Sequence, residues 1–196
     1  MTDSGAVSSA RILQKALEMF SSQGYKATSV REICESAGLT KPTLYHFYGS
    51  KEGLYRALVD GSLDGFRIEL NRLLETPGTV KERLRRFAQN YFEACRSRRD
   101  LMRFMFGLIY GPPGSAPRTD FHRFYDDMVG SIAVVVEEGV ARGELAPGSS
   151  RVRMLVLMGA LGEALTGYLL VGHPELTPEL ADSLIDTVLT GWRPHS

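Results

Sequence analysis

Apolar residues recur every three to four positions along nearly the whole chain, which is the spacing of one face of an α-helix. The repeat is clear near the N-terminus at Ile12, Ala16 and Phe20, and again near the C-terminus at Ile185 and Val188. No segment alternates apolar and polar residues in the manner of a half-buried β-strand. The pattern therefore predicts an all-α fold of about nine helices.

Residues that cap or break helices divide the chain into segments. Gly, Pro, Ser and Thr cluster at residues 23–29, 37–40, 48–50, 76–79, 110–117, 146–150 and 172–178. Thr79 followed by Glu82 has the spacing of a capping box, and Thr177 precedes a proline in the first helical turn. Short helices before residue 50 and longer ones after it predict a small N-terminal domain, 1–50, and a larger C-terminal helical body, 51–196.

Two short helices joined by a tight glycine turn are predicted around the sequence SAGLTKPTLYHFYGS. Gly38 can end the first helix in the left-handed conformation, Thr40 can cap the second, and Pro42 falls in its first turn. Leu44 then faces the preceding helix while polar side chains remain outside. This arrangement is a helix-turn-helix, whose second helix is narrow enough to enter the major groove of DNA.

The outer side chains of the second short helix have the chemistry that DNA contacts require. Lys41 can meet phosphate groups or the acceptors of guanine, and the Thr43 methyl group can pack on a thymine methyl group. Tyr45 and His46 can hydrogen-bond to phosphate groups or base edges, and Lys51 lies at the positive end of the following helix. Lysine plus arginine equals aspartate plus glutamate at 23 each, so any binding to DNA must depend on local charge. The pattern favours DNA binding over a helix-turn-helix that only packs a core.

A dense set of residues appears in fixed order between residues 9 and 60, from ARILQKALEMF through KEGLYRAL. They are Phe20, Gly24, Thr28, Ala37, Gly38, Leu44, Tyr45, Phe47, Lys51 and Leu54. This segment resembles the DNA-binding domain of the TetR/AcrR family of bacterial transcriptional regulators. Where the family usually has Phe, this chain has Tyr48, whose hydroxyl needs a partner.

The resemblance implies a function for each part of the helix-turn-helix. It implies that Thr28 and Arg31 lie near the DNA backbone, and that Lys51 holds a phosphate group. It also implies that the groove is entered by the residues from Lys41 to His46, namely Lys41, Pro42, Thr43, Tyr45 and His46. For the C-terminal body the resemblance concerns the architecture only, because ligand-binding domains in this family diverge freely.

The C-terminal body is rich in aromatic residues and methionines at helical spacing. Most such residues form a packed core, but in a family that senses small molecules some are expected to line a cavity. The candidate pocket residues are Phe66, Leu70, Tyr91, Phe92, Met102, Met105, Phe106, Phe121, Phe124, Tyr125, Met128 and Met158. The expected effector is a small apolar molecule. A body that binds a protein, or no ligand at all, is an open alternative.

The apolar segment 152–172 is the candidate dimer interface. Its length approaches a membrane span, but Arg153 and Glu163 within it favour a buried helix of a soluble protein. The small residues around Glu163 allow close approach of a second helix, and this carboxylate is expected to bond across the interface rather than to a cationic ligand. The interface candidates are Gly159, Gly162, Glu163, Leu184, Val188 and Trp192.

An enzyme is a remote alternative. The most reactive cluster in the sequence is Asp120, His122, Tyr125, Asp126 and Asp127. Two metal ligands or an acid and base at one helical spacing do not make a catalytic site, so no cofactor or metal is expected. Because the N-terminus lacks the features of a signal peptide, a cytoplasmic location is expected. The sequence therefore predicts a homodimeric, ligand-responsive regulator, a repressor by resemblance, that binds a palindromic operator.

Overall fold

The computed structural model describes residues 3–119 and 122–192. Within these residues the chain forms nine α-helices and no β-strand, which confirms the predicted all-α fold. The helices are α1 (Asp3–Ala27), α2 (Val30–Ala37), α3 (Lys41–Tyr48), α4 (Lys51–Glu75), α5 (Val80–Ser97), α6 (Arg99–Tyr110), α7 (His122–Ala141), α8 (Ser150–Val171) and α9 (Pro178–Thr190).

Several helices begin where side chains cap the backbone. The Thr79 hydroxyl accepts a hydrogen bond from the Glu82 backbone N–H at 3.2 Å, and the Glu82 carboxylate accepts one from the Thr79 N–H at 2.9 Å. The same reciprocal box joins Ser29 to Glu32 at the start of α2, and Thr177 caps α9. Each cap contributes about 1 kcal/mol to stability, so these boundaries are determined locally.

One compact unit consists of α1, α2, α3, the part of α4 up to Asp64, and α6. In this unit α1 packs against α2, α3 and α6. The ring of Phe104, on α6, lies 6.3 Å from that of Phe20 on α1 and 5.1 Å from that of Tyr55 on α4. Because Phe104 is only 3% exposed, these rings form a core that joins α6 to α1 and to the first part of α4.

The compact units do not divide at residue 50. The chain returns to the first unit in α6, since Phe104 completes the core that Phe20 and Tyr55 begin. The functional division into a DNA-binding part, 1–50, and a ligand-binding part, 51–196, stays a prediction.

The other compact unit contains the rest of α4 from Gly65, together with α5, α7, α8 and α9. Here α5 packs against α7, α8 and α9, and α8 packs against α7 and α9. Side chains from four of these helices are almost completely buried, at exposures of 0–1%: Leu84, Phe92, Ile132, Leu161 and Ile185.

Arg83 on α5 is a charged residue in the core of this unit, with 3% of its surface exposed. Its Nε and Nη2 donate to the carbonyl oxygens of Leu73 and Leu74, each at 3.0 Å. Carbonyl groups in the last turn of a helix have no partner within the helix, so Arg83 caps the end of α4. Its Nη1 donates to the Glu138 carboxylate of α7, a bond that lowers the pKa of Glu138. One side chain therefore fastens three helices together.

The apolar helix α8 packs on one side only. It is 22 residues long with a mean hydropathy of 1.8, so its length and composition alone would allow it to cross a membrane. Leu157 and Leu161 are fully buried, but only 28% of the apolar window lies inside the structure. The prediction of a buried helix is therefore correct for one side of α8 and wrong for the other within a single chain.

Candidate nucleic-acid interface

Gly38 forms the turn between α2 and α3. Its φ of 61° and ψ of 36° are left-handed, and its N–H donates to the carbonyl groups of Cys34 and Glu35. Glycine adopts this conformation without the steric penalty that a Cβ atom brings. Four residues into α3, Leu44 is completely buried, which contributes about 2 kcal/mol and holds the helix against its neighbours.

α3 exposes the side chains that the sequence predicted for the DNA groove. Lys41, Pro42, Tyr45 and His46 are exposed, and Thr43 is half-buried. Tyr45 is 47% exposed despite its large aromatic ring. All five side chains therefore lie on a single rigid helix and are available to a partner.

The two residues expected near the DNA backbone differ in exposure. Thr28 is 1% exposed, and its hydroxyl donates to the Gly24 carbonyl group at 2.8 Å and accepts from Gln23 Nε2 at 3.3 Å. Its side chain therefore stabilises the end of α1, and the proximity of Thr28 to the DNA backbone stays a prediction. Arg31 has a side chain that is 74% exposed and pairs with Glu35 at 2.7 Å. An exposed pair of this kind is weak, so Arg31 can exchange it for a phosphate group.

Lys51, the first residue of α4, is positioned by an aromatic ring. Its Nζ lies 4.2 Å from the ring centroid of Tyr25, within the range of a cation–π interaction. Partial burial lowers the pKa of Lys51, and the negative charge of Glu32 opposes that shift. Ser50 caps the helix by accepting from the Gly53 N–H at 2.9 Å. The ammonium group thus lies at a helix N-terminus, where backbone N–H groups and the helix dipole favour an anion.

Tyr48 connects the end of α3 to α1. Its hydroxyl donates to the Ser9 carbonyl group at 2.9 Å and lies 2.7 Å from the Ser9 Oγ. Burial raises the pKa of Tyr48. The Tyr48 hydroxyl, for which the sequence suggests no partner, is therefore hydrogen-bonded to Ser9. Ser9 was not predicted, because 39 residues separate it from Tyr48 and no local pattern relates them.

Three of the candidate pocket residues belong to an aromatic cluster in the second compact unit. The ring of Phe66 lies 6.1 Å from that of Tyr91 and 5.2 Å from that of Phe124, and Phe87 joins them at 6.1 Å. Phe66, Tyr91 and Phe124 are each half-buried, whereas Phe87 is buried. The cluster therefore leaves part of each of these three rings exposed.

The other pocket candidates are dispersed. Leu70, Phe92 and Met128 are buried, at 1–8% exposure, and Tyr125 and Met158 are half-buried. The remaining candidates are Met102, Met105 and Phe106, which lie on α6 in the first compact unit, and Phe121, which lies outside the described residues. The sequence grouped these residues by type, and helical periodicity does not distinguish a pocket wall from a packed core.

An apolar stripe runs along the exposed side of α8. Val152, Leu155 and Leu170 are 51–66% exposed, and their spacing places them on one face of the helix. Gly159 is exposed on the same face and Gly162 is half-buried beside it. A Cβ atom added at either glycine would meet nothing within 4 Å. This side of α8 is therefore flat, apolar and open.

Glu163 lies in the middle of the α8 stripe and is exposed, so within one chain it is not the buried charge that the sequence suggested. On α9, Leu184 and Val188 are half-buried. Trp192 is only 8% exposed, and its ring lies 5.2 Å from the Arg153 guanidinium group. Because Trp192 packs within its own chain, it is omitted from the proposed interface.

The reactive cluster of the sequence does not come together as a site in the described residues. Asp127 accepts from Arg67 Nε at 3.0 Å, and Asp126 is exposed. Asp120 and the side chain of His122 lie outside what the structure describes. Over residues 3–119 and 122–192, no group of three or more His, Cys, Asp or Glu side chains is arranged to hold a metal ion.

The fold and the exposed helix α3 together define a helix-turn-helix protein of the type that docks a recognition helix in the major groove. The model of the bacterial regulatory proteins of the tetR family matches residues 12–58, which span α2, α3 and parts of α1 and α4. The chain belongs to this family.

Two relatives extend the similarity beyond the helix-turn-helix. The HTH-type transcriptional repressor KstR2 of Mycolicibacterium smegmatis is 30% identical over 141 residues, which cover 69% of this chain and 66% of that protein. The uncharacterized HTH-type transcriptional regulator YezE of Bacillus subtilis is 34% identical over 87 residues, 44% of this chain and 45% of that protein. The chain thus spans from about half to just under two thirds of the length of these relatives.

Solved structures share the whole architecture. PfmR, a TetR-family regulator from Thermus thermophilus, is 24% identical with a TM-score of 0.75, and the match covers 92% of this chain and 97% of PfmR. FadR from Bacillus subtilis, in complex with stearoyl-CoA, is 18% identical with a TM-score of 0.76 over 93% of this chain and 98% of FadR. At these identities the likeness shows the fold alone.

Proposed function

We propose that the protein is a homodimeric transcriptional repressor that binds palindromic operator DNA through α3 and is released by a small apolar effector. The observation that carries the proposal is the exposure of Lys41, Pro42, Tyr45 and His46 on a short helix fixed by a glycine turn. Lys51 and Arg31 flank this helix with positive charge. Membership of the tetR family and the similarity to the KstR2 repressor support the same function.

Lys51 is proposed to hold a backbone phosphate group, and its replacement by Ala tests this role. Because a phosphate contact carries no sequence information, Lys51→Ala is expected to weaken binding to all duplexes about equally and to reduce the salt slope by about one counterion per half-site. The measurement is a fluorescence-anisotropy titration over a salt series. Lys15→Ala, which removes a lysine paired with Glu18, is the matched control. A loss of sequence preference at an unchanged salt slope would refute the phosphate contact.

The exposed side of α8 is proposed to pair with the same side of a second chain. Val152, Leu155 and Leu170 form an apolar patch that a monomer rarely leaves in water. Gly159 permits close approach of the partner helix, and Glu163 is proposed to bond across the interface. With Leu184 and Val188 of α9, two such chains would form a four-helix bundle. Two copies of α3 held about 34 to 36 Å apart would then read a palindrome.

Placing a bulky residue in the middle of the stripe tests this pairing. Gly159→Leu is expected to dissociate the dimer and to abolish cooperative binding to a palindrome, while the helical content of each chain is retained. A Cβ atom added at Gly159 meets nothing within 4 Å in its own chain, so a change in the association state points to a partner. Sedimentation velocity gives the association state, and Gly107→Leu, at another exposed and unobstructed helical glycine, is the control. An unchanged dimer in Gly159→Leu would exclude this face.

The effector is proposed to be apolar and to bind in the C-terminal body, near the aromatic cluster of Phe66, Phe87, Tyr91 and Phe124. The stearoyl-CoA in the structure of FadR carries a long apolar chain, which supports an effector of this class. Release of DNA requires only that the effector binds the DNA-incompetent state more tightly, with a coupling of about 1 to 3 kcal/mol. Its site of action is proposed to be the cytoplasm, where the operator lies.

A DNA-binding protein without a small-molecule ligand is the second candidate function. The complete burial of Leu70 and Phe92, two of the predicted pocket residues, favours this alternative. Calorimetric titration of the DNA-bound protein with a series of fatty acids and acyl-CoA thioesters distinguishes the two functions. Heat of binding together with release of DNA supports the effector, and the absence of both across the series supports constitutive binding.

A further inference from the structure

The hydroxyl group of Thr43, on the exposed side of α3, is engaged within its own helix. Its Oγ1 lies 2.9 Å from the Oγ1 of Thr40, the residue that caps α3. The Thr40 Oγ1 also accepts a hydrogen bond from the Thr43 backbone N–H at 3.4 Å. The first contact directs the Thr43 Oγ1 toward the start of the helix, and the second holds the Thr40 hydroxyl over the first turn.

This pairing restricts the part of Thr43 that can meet a partner. The two heavy atoms on the Cβ of threonine occupy staggered positions, so a fixed Oγ1 also fixes the methyl carbon. Thr43 is half-buried and lies between the exposed Pro42 and the buried Leu44. With the hydroxyl turned toward Thr40, the methyl group of this half-buried side chain is also held in one position.

An apolar group on a recognition helix selects one feature of the DNA major groove. Thymine presents a C5-methyl group there, whereas the other three bases present only hydrogen-bond donors and acceptors at their edges. A free threonine hydroxyl can bond to phosphate groups or to several base edges and therefore discriminates poorly. A threonine whose hydroxyl is held by a neighbour keeps spare hydrogen-bonding capacity, but its hydroxyl and methyl groups are fixed in orientation.

We propose that Thr43 reads a thymine through contact between the two methyl groups, and that Thr40 is the positioning residue that turns the Thr43 hydroxyl away from the base. The proposal rests on the proposed function, since it requires α3 to enter the major groove. It adds a base preference that the position of α3 alone does not specify.

Replacing thymine by deoxyuridine removes the C5-methyl group and leaves base pairing unchanged. The probe is a duplex that the full-length protein selects from a random pool, in which each symmetry-related pair of thymines is replaced in turn. At one pair of positions the affinity of the natural protein is expected to fall by about four-fold per half-site, as for one buried methyl group. Substitution at the other thymines is expected to change the affinity by less than about two-fold.

Variants at Thr43 separate its methyl group from its hydroxyl. Thr43→Ser keeps the hydroxyl and is expected to bind the thymine and deoxyuridine duplexes equally. Thr43→Val keeps a methyl group without the hydroxyl and is expected to retain the discrimination. Circular dichroism and thermal unfolding establish that each variant is folded. If Thr43→Ser does not fold, Thr43→Val provides the comparison.

The same duplexes test the role of Thr40. The property measured is the ratio of thymine to deoxyuridine affinities, which a purely structural role would not alter. Thr40→Ala frees the Thr43 hydroxyl and is expected to reduce the ratio of thymine to deoxyuridine affinities, beyond any uniform loss of binding. Thr40→Ser keeps the paired hydroxyl and is expected to restore the ratio. An unchanged ratio in Thr40→Ala would remove Thr40 from the proposal.

The outcomes distinguish this proposal from the proposed function. If the natural protein selects no duplex, the regulator function fails and the base preference fails with it. If it binds a selected duplex but no deoxyuridine substitution weakens binding, the function stands and the methyl contact is refuted. Retained discrimination in a folded Thr43→Ser protein would also refute it.

Discussion

Replacing Arg83 with Ala is expected to lower the free energy of unfolding by about 3 kcal/mol, because two hydrogen bonds from its charged guanidinium group to carbonyl groups of α4 are lost, each worth about 1.5 to 3 kcal/mol. The change would leave the carbonyl groups of Leu73 and Leu74 without their donors and would leave the Glu138 carboxylate with Arg142 alone, at 3.7 Å. The contacts by which Arg83 links α4, α5 and α7 are then lost together. Urea denaturation followed by circular dichroism measures the effect.

Arg86 offers a matched control, because it lies three residues further along α5 and is exposed. Arg86→Ala is expected to change the free energy of unfolding by less than about 0.5 kcal/mol. Arg83→Lys is expected to recover only part of the loss, since a single ammonium group cannot reproduce the planar set of donors that arginine provides. Equal stability of Arg83→Ala and Arg86→Ala would show that Arg83 does not join the three helices.

Replacing Gly53 with Ala is expected to disturb the junction of α3 and α4 and to weaken DNA binding roughly ten-fold, which corresponds to about 1.4 kcal/mol. A Cβ atom at Gly53 would clash with the carbonyl oxygen of Tyr48, the last residue of α3. Backbone atoms cannot rotate away as a side chain does, so α3 or the first turn of α4 must move. The recognition helix and Lys51 would no longer keep their relative positions. An anisotropy titration with operator DNA measures the loss.

Gly61 provides the control for Gly53 on the same helix. A Cβ atom there meets nothing within 4 Å, so Gly61→Ala is expected to raise stability by up to about 1 kcal/mol through helix propensity and to leave DNA affinity unchanged. The two variants introduce the same methyl group into α4. If Gly53→Ala bound DNA as well as Gly61→Ala does, the close contact with Tyr48 would not determine the position of α3.

The parts of the fold that depend on local chemistry were predictable from the sequence. The cap at Thr79, the cap at Thr177 and the turn at Gly38 each involve residues only a few positions apart, and all three occur where the sequence indicated. The exposed residues of α3 follow from the same local pattern, because one buried position, Leu44, fixes which side of a short helix faces outward.

Features that depend on distant contacts could not be predicted in this way. α5 ends at Ser97, and its C-cap residue Arg98 has a φ of −126° and a ψ of 50°, although no glycine or proline marks the break. The following helix, α6, joins the first compact unit because Phe104 packs on Phe20, 84 positions earlier in the chain. Arg83 is polar in sequence and buried in the fold, since its partners are carbonyl groups that a sequence does not display.

The candidate sites show the same limit. Thr28 is of a residue type that often contacts DNA. Its hydroxyl donates to the Gly24 carbonyl group, a bond that only the three-dimensional structure reveals. The mean hydropathy of α8 combines a buried side and an exposed side of the helix. The value alone therefore does not show that Val152 and Leu170 stay exposed and need a second surface to cover them. The pocket residues were selected by type, and type alone does not separate Leu70, in the core, from Phe66.

The central claim, that α3 recognises a specific operator, is tested most directly by selection of duplexes from a random DNA pool with the purified full-length protein, followed by sequencing. We expect enrichment of a palindrome whose half-sites are centred about one turn of DNA, 10 to 10.5 base pairs, or a multiple of it, apart. A bound pool with the same sequence composition as the starting pool would contradict the account.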